Sequence, residues 1–490
     1  MILEEILEIL KEESKEKAYT VSENSYSYEQ FYKFVCNIYN FILSENKEKT
    51  PIIVYGHKEI YMKAAFLACS FAGITYVPID ENLPKERVKN IIQQVKPYCI
   101  IGDFETEEVT NISKNQIYEI MNKKTSKDIE NIYLKPEDVY YIIFTSGSTG
   151  MPKGVKVTYK NLNSCINWLK DIIGAKNEVI LNQANFSFDL SVADLYLSLV
   201  SKSEHFILEN SSKLDFQGIF EGLKQSKATI AVMTPSFADL LLLDKNFGKE
   251  ILPNLRTIIF CGERLLKTTI LKLRSRFDDI KIINSYGPTE CTFAVTSIEV
   301  TDEILKQENI PVGKAKDDVQ IIIVDKNRNK LSDGQVGEIL IAGESVAAGY
   351  LGKIKENSFI EYDGKNSYLT GDLGYLENGI LYFEHRIDNQ IKYKGYRIEL
   401  SDIEKNLYCL DYLEKVKVID KRNANGTVAK LVAFVKLKQG IIKKELDIRK
   451  DLAGKIPAYM CPNIKILPEF PINNNGKIDN ESLRRMVYER

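Results

Sequence analysis

The chain has 490 residues, too many for one ordinary hydrophobic core, so two or more domains are expected. Apolar residues make up 44% and charged residues 27%, the balance of a soluble globular protein rather than of a disordered or membrane-embedded one. The 66 Lys and Arg against 68 Asp and Glu leave a formal net charge of -2, which gives no footprint for nucleic acid or for an anionic membrane surface.

The opening segment MILEEILEILKEESKEK puts Ile2, Ile6, Leu7 and Leu10 on one face of a charged helix. It has neither the basic start nor the unbroken apolar stretch of a secretory signal. No run of 18 apolar residues follows anywhere, so no membrane insertion is expected, and a cytoplasmic location is. The eight cysteines are scattered without a C-x-x-C pair, which fits reduced thiols. Only His57, His205 and His385 are available, none beside a Cys pair, which speaks against zinc.

From about residue 50 to 260, the runs PIIVYG, AGITYVPI, VYYIIF, ATIAVM and RTIIFC alternate with longer helical patterns, predicting parallel sheets covered by helices. After about residue 310 the strands VQIIIVD, GEILIAG and GILYFEHR follow one another closely, with Asn378-Gly379 marking a tight hairpin. KYKGYRIELSDIEKNL then offers Ser401 and Glu404 as a capping box opening a helix, and LVAFVKLK with two helical stretches completes a small α+β module. The expected division is a large region over 1–387 and a module over 388–490, joined within EHRIDNQIK.

The stretch YIIFTSGSTGMPKG ends an apolar strand in glycines, hydroxyls and a lysine. Glycines permit close backbone approach, successive N–H groups supply donors, and Lys153 supplies charge, which together suit a phosphate. It is not the Walker pattern, because Gly154 follows the lysine. T-S-G-S-T-G-x-P-K-G resembles the signature loop of the adenylate-forming enzymes. Further segments similar to that family's follow in order: Asn284-Ser285-Tyr286-Gly287-Pro288-Thr289-Glu290, Tyr368-Leu369-Thr370-Gly371-Asp372, Arg386-Ile387-Asp388-Asn389-Gln390 and Asn475-Gly476-Lys477-Ile478-Asp479. The resemblance implies an α/β fold with mostly parallel, helix-covered sheets, a distorted barrel-like part, and a small α+β C-terminal domain.

It also implies roles. Thr145, Ser146, Gly147, Ser148, Thr149, Gly150 and Lys153 would hold the β- and γ-phosphates of ATP, with Asn284, Tyr286, Gly287 and Thr289 about the adenine, Asp372 and Arg386 on the ribose, and Glu290 on Mg²⁺. Lys477 would be catalytic, bridging the substrate carboxylate and the ribose side of the α-phosphate. Asp388 would be the hinge about which the C-terminal module turns, bringing the Gly395 loop to line a thiol tunnel. Two departures stand out: His385 precedes Arg386 where Gly is usual, and Asn473-Asn474 precede Asn475 where Thr-Pro is common.

The segment Asn185-Phe186-Ser187-Phe188-Asp189 points to the substrate class. An acidic group among aromatic ones needs a cationic partner, and by resemblance to amino-acid adenylation domains Asp189 would bind an α-ammonium; the alternative is a helix cap. Several stretches, among them LNQANFSFDLSVADLYLSLV and IIFCGERL, are similar to the D-alanine:carrier protein ligases within that branch, so D-alanine is the favoured amino acid. Cys261 would crowd the Cα substituent and sort enantiomers, with Ser285, Ala193 and Phe293 also lining the pocket. Ala193 stands where Met is usual and Phe293 where Val is usual. With 13 residues after Lys477, the acceptor is expected to be a separate phosphopantetheinylated carrier protein, and the ligase a monomer. A free-standing activator of another small amino acid for a peptide-type pathway, an acyl-CoA synthetase and a non-catalytic nucleotide-binding regulator remain alternatives.

Overall fold

The computed structural model describes residues 1–124, 127–147, 151–174, 176–209, 216–352, 358–388, 390–423, 426–472 and 478–488. It resolves into two compact units: the first is Met1–Glu81, Val95–Phe144 and Gly154–His385, the second Asn82–Gln94, Thr145–Lys153 and Arg386–Arg490.

The first unit is built on two large sheets. A six-stranded sheet runs Thr110–Ile112, Cys99–Ile101, Ile52–Gly56, Tyr76–Asp80, Val139–Thr145, Lys153–Thr158, parallel from its first strand through Val139–Thr145. A nine-stranded sheet runs Lys314–Ala315, Thr296–Glu299, Lys281–Tyr286, Thr257–Phe260, Ile230–Met233, Val179–Asn182, Glu204–Ile207, Lys17–Val21, Asn24–Ser27. Its middle is parallel, and the flanking strands at both ends are antiparallel. Strands covered on both faces are apolar without alternation, which is why IIVYG and TIIF read as unbroken runs and are wholly buried.

Helices fill the space about these sheets. The first, Ile2–Lys11, buries Leu3 as well as the four expected residues. The helix Leu190–Val200 is buried at every position, so it has no solvent face at all. A curled antiparallel sheet of Val319–Val324, Gly337–Gly343, Phe359–Tyr362, Lys365–Glu377 and Ile380–Arg386 completes the unit. Its last hairpin turns at Asn378 and Gly379, both at positive φ (51° and 76°), the geometry a two-residue hairpin loop asks for.

The second unit contains the hairpin Gln390–Tyr393 with Tyr396–Glu399, the three-stranded sheet Leu413–Arg422, Val428–Leu437, Asn463–Ile466, and the helices Lys85–Val95, Leu400–Tyr408, Glu445–Ala453 and Asn480–Tyr488. Arg87 donates to the buried carboxylate of Asp402 at 3.2 Å. The expected capping box at Ser401 is absent: the helix starts at Leu400, its N-cap Glu399 makes no capping bond, and Glu404 instead accepts from Val418 N at 3.0 Å and pairs with Lys417 at 2.9 Å. A strand packed against the helix outcompetes the local cap.

Candidate active site

Parallel strands present their C-terminal ends to ligands, because the loops that follow carry exposed backbone donors. In the nine-stranded sheet, Val179–Asn182 leads into residues 185–189, Thr257–Phe260 ends at Cys261, and Lys281–Tyr286 carries Asn284 and Ser285 and ends at Tyr286. Two of these strands are neighbours, pairing Phe260 with Asn284.

Side-chain bonds fix each position. Asn284 donates to Pro311 O at 2.7 Å, Ser285 to Phe260 O at 2.8 Å, and the Tyr286 hydroxyl to Asp372 Oδ2 at 2.7 Å. Burial, reinforced by the Asp372 charge, holds the Tyr286 hydroxyl protonated well above its ordinary range. Asp372 lies on the long strand Lys365–Glu377 next to Gly371 (φ 69°), and its N–H donates to Thr370 Oγ1 at 3.0 Å.

After Tyr286 the chain turns sharply. A Cβ on Gly287 would meet Ala294 Cα at 2.6 Å and Phe293 O at 2.8 Å. The short 3₁₀ turn Thr289–Cys291 holds Glu290, 1% exposed, whose Oε1 accepts from the Tyr350 hydroxyl at 2.7 Å. Thr292 and Phe293 follow with φ of 58° and 70°, so an aromatic residue occupies the left-handed region. Tyr350 sits on no motif and was not legible from spacing.

Around the expected amino-acid pocket, Cys261 donates its thiol to Phe293 O at 3.8 Å, and Ala193 is fully buried. The Cys165 thiol is pushed up to about 12, mainly by burial. Asp189 occupies the N-cap of Leu190–Val200 yet makes no side-chain capping bond, so the helix-cap alternative has no support in the geometry.

In the second unit, Thr145 ends its strand, Ser146 is buried and donates to Arg397 O at 2.9 Å, and a Cβ on Gly147 would strike Met151 O at 2.1 Å. Lys153 is buried at the start of the next strand. Arg386 forks onto Asp388 through two bonds of 2.8 and 2.7 Å. Burial pushes the Asp388 carboxyl up, but the Arg386 bonds and charge outweigh it and hold the group below the usual carboxylate range. Gly395 turns the hairpin at φ 83°. Ser148, Thr149, Gly150 and Lys477 lie outside the described residues.

The family pattern described as AMP-binding enzyme matches residues 9–351. Proteins named D-alanine--D-alanyl carrier protein ligase are similar along nearly the whole length: that of Bacillus licheniformis is 39% identical over 90% of each chain, that of Listeria monocytogenes 40% identical over 91% of this chain and 90% of its own, and that of Bacillus cytotoxicus 36% identical over 98% of each. Among solved structures, the Vibrio cholerae adenylation domain AlmE, in complex with glycyl-adenosine-5'-phosphate, superposes with a TM-score of 0.86 at 21% identity, covering 100% of this chain and 98% of its own. The o-succinylbenzoate CoA synthetase of Bacillus subtilis gives 0.83 at 19% identity, covering 98% of each. At these identities the structures speak for the fold alone. Among the described residues no helix is long and apolar enough to cross a membrane.

Proposed function

Because the chain belongs to the AMP-binding enzyme family, we propose that it is an AMP-forming ligase that activates D-alanine with ATP and passes it to the phosphopantetheine thiol of a separate carrier protein, for the D-alanylation of teichoic acids. The observation that carries the reading is the similarity to D-alanine--D-alanyl carrier protein ligases across about nine-tenths of both chains. The reading places the enzyme in the cytoplasm, where its co-substrate ATP is, and takes it to act as a monomer.

In the first half-reaction a D-alanine carboxylate oxygen attacks the α-phosphorus, the bond to the pyrophosphate oxygen breaks, and the aminoacyl adenylate and pyrophosphate result. Two anions must meet, so positioning and charge neutralisation dominate. The Thr145–Lys153 loop cradles the leaving phosphates, Tyr286 packs against adenine, Asp372 accepts from the ribose, Arg386 adds a ribose contact, and Lys477 steadies the reacting carboxylate. Asp189 binds the ammonium. A buried Glu290 whose Oε1 is fixed by Tyr350 is a hard oxygen donor suited to Mg²⁺, which would neutralise phosphate charge when bound. In the second half-reaction the carrier thiol attacks the acyl carbon and AMP leaves.

Ala193 and Phe293 favour one variant of this reading. Loss of bulk at one position and gain at the other reshapes the pocket, and activation of another small amino acid would use the same machinery. The test is ATP–pyrophosphate exchange with D-alanine, L-alanine, glycine, D-serine and a short fatty acid, with Lys477→Ala as control. Strong exchange with D-alanine alone is expected. Preference for another amino acid moves the protein to another pathway, and no exchange with any substrate sinks the enzymatic reading.

A further inference from the structure

Four ionisable side chains lie buried together in the first unit. Lys58 and Lys63 flank the start of helix Ile60–Ala72, Asp194 is on Leu190–Val200, and His205 is on Glu204–Ile207. Their exposures are 2%, 0%, 0% and 0%. Burial lowers the Lys58 ammonium to about 8 and that of Lys63 to about 7, and drives His205 well below its ordinary range, so its imidazole is neutral.

A neutral imidazole has one donor and one acceptor nitrogen, and here both are spoken for. Nδ1 lies 3.4 Å from Lys63 Nζ and accepts from it; Nε2 lies 3.0 Å from Asp194 Oδ1 and donates to it. Asp194 Oδ1 also accepts from Asn182 at 3.0 Å, Lys63 donates to Ser198 at 3.1 Å, and Lys58 donates to Gln183 O and Leu208 O at 2.8 and 3.0 Å. The His205 ring is further stacked on Phe186, with centroids 6.2 Å apart and planes at 26°.

Phe186 and Asp194 bracket Asp189 and Ala193 in sequence. His205 therefore touches both ends of the segment that carries the expected ammonium ligand. Leu190–Val200 is buried all round and mostly apolar, and hydrophobic contact is non-directional, so it constrains the rotation of the helix less sharply than a directed bond does. Hydrogen bonds constrain it more sharply because they demand an angle. Tyr196, about 200° around the helix from Asp194, is held to Tyr76 by a hydroxyl pair at 2.8 Å, giving a second pin on the opposite face.

We propose that His205, held between Lys63 and Asp194, is a positioning residue for the amino-acid pocket, setting the rotation of the helix that presents Asp189 and Ala193. This rests on the reading of Asp189 as the ammonium ligand. Replacing such a buried network by apolar groups need not destabilise the fold, whereas it removes the directional pins.

The experiment compares His205→Phe, which keeps the stacked ring but loses both nitrogens, with His205→Gln, which keeps an amide donor, measuring exchange KM for the amino acid and for ATP separately. His205→Phe is expected to raise the amino-acid KM tenfold or more with ATP KM within twofold, and His205→Gln to stay within threefold of wild type. Should His205→Phe fail to fold, Lys63→Met keeps the His205 ring while removing the donor to Nδ1 together with the bond to Ser198, and is expected to raise the amino-acid KM threefold or more. An amino-acid KM unchanged in His205→Phe, a Gln variant no better than the Phe one, or a parallel rise in both KM values would overturn the inference alone. A wild-type protein without amino-acid-dependent exchange would overturn the functional reading and the inference with it.

Discussion

The Cys261 Sγ is held 3.8 Å from Phe293 O, and in the proposed reading its bulk lies beside the Cα of the bound amino acid. A fixed bulk beside Cα discriminates enantiomers by steric exclusion, and one misplaced methyl is worth about 1–3 kcal/mol. Cys261→Ala is expected to lower the D- to L-alanine ratio of kcat/KM by about tenfold, mainly through a gain with L-alanine; an unchanged ratio in exchange assays would remove Cys261 from the selectivity account. The buried lysines make a separate statement about pH. Both folded-state values are lowered, so between about 7 and 10.5 for Lys63, and 8 and 10.5 for Lys58, the unfolded chain binds more protons than the folded one. The destabilisation from burying these ammonium groups is full below those folded values and is relieved as pH rises, at most on the order of 1 kcal/mol per pH unit for each lysine. Urea unfolding from pH 7.5 to 9.5 should therefore show a less positive stability slope for Lys63→Met than for wild type. Equal slopes would mean that Lys63 stays charged in the folded chain throughout this range.

The turn between Lys281–Tyr286 and Thr296–Glu299 shows how an element shapes the site. Gly287 lies so close to the backbone of Phe293 and Ala294 that a methyl has no place there, and two left-handed residues follow the 3₁₀ turn. Gly287→Ala must push Phe293 outward, with an expected loss of about 1–3 kcal/mol in stability and at least tenfold in exchange rate; an active variant with wild-type melting behaviour would show that the turn has slack. Elements of this kind were partly legible. The strand end at Thr145 and the Asn378-Gly379 hairpin follow from local chemistry, since an apolar run and a pair of left-handed-tolerant residues carry their own geometry. The Ser401 capping box failed because Glu404 is recruited by a strand more than ten residues away, which no local pattern reveals. Tyr350 and the Lys63–His205–Asp194 chain were missed for the same reason: they join positions 60, 142 and 11 residues apart, and only the folded sheets bring them together.

At the scale of the whole molecule, the two half-reactions make different demands on the chain. The first unit carries Tyr286, Glu290, Asp372, Asp189 and Cys261, the residues proposed to address nucleotide and amino acid; the second carries the Thr145–Lys153 loop, Arg386, Asp388 and the Gly395 turn. If Lys477 serves adenylation and the Gly395 loop serves the thiol, changes at the two positions must separate the steps in opposite senses. Lys477→Ala should lower exchange by 10²-fold or more, in the range of other lost charge-stabilising groups, while transfer from supplied D-alanyl adenylate to the carrier thiol persists. Gly395→Leu places a side chain at φ 83°, a conformation branched residues rarely hold, and adds bulk beside the thiol path, so it should keep exchange within about threefold and suppress thioester formation. Both measurements use full-length protein and one carrier preparation, so loss of folding would show in both assays at once. Variants that depress the two half-reactions equally while keeping wild-type melting behaviour would mean that one arrangement of the chain serves both steps, and the hinge at Asp388 would lose its purpose.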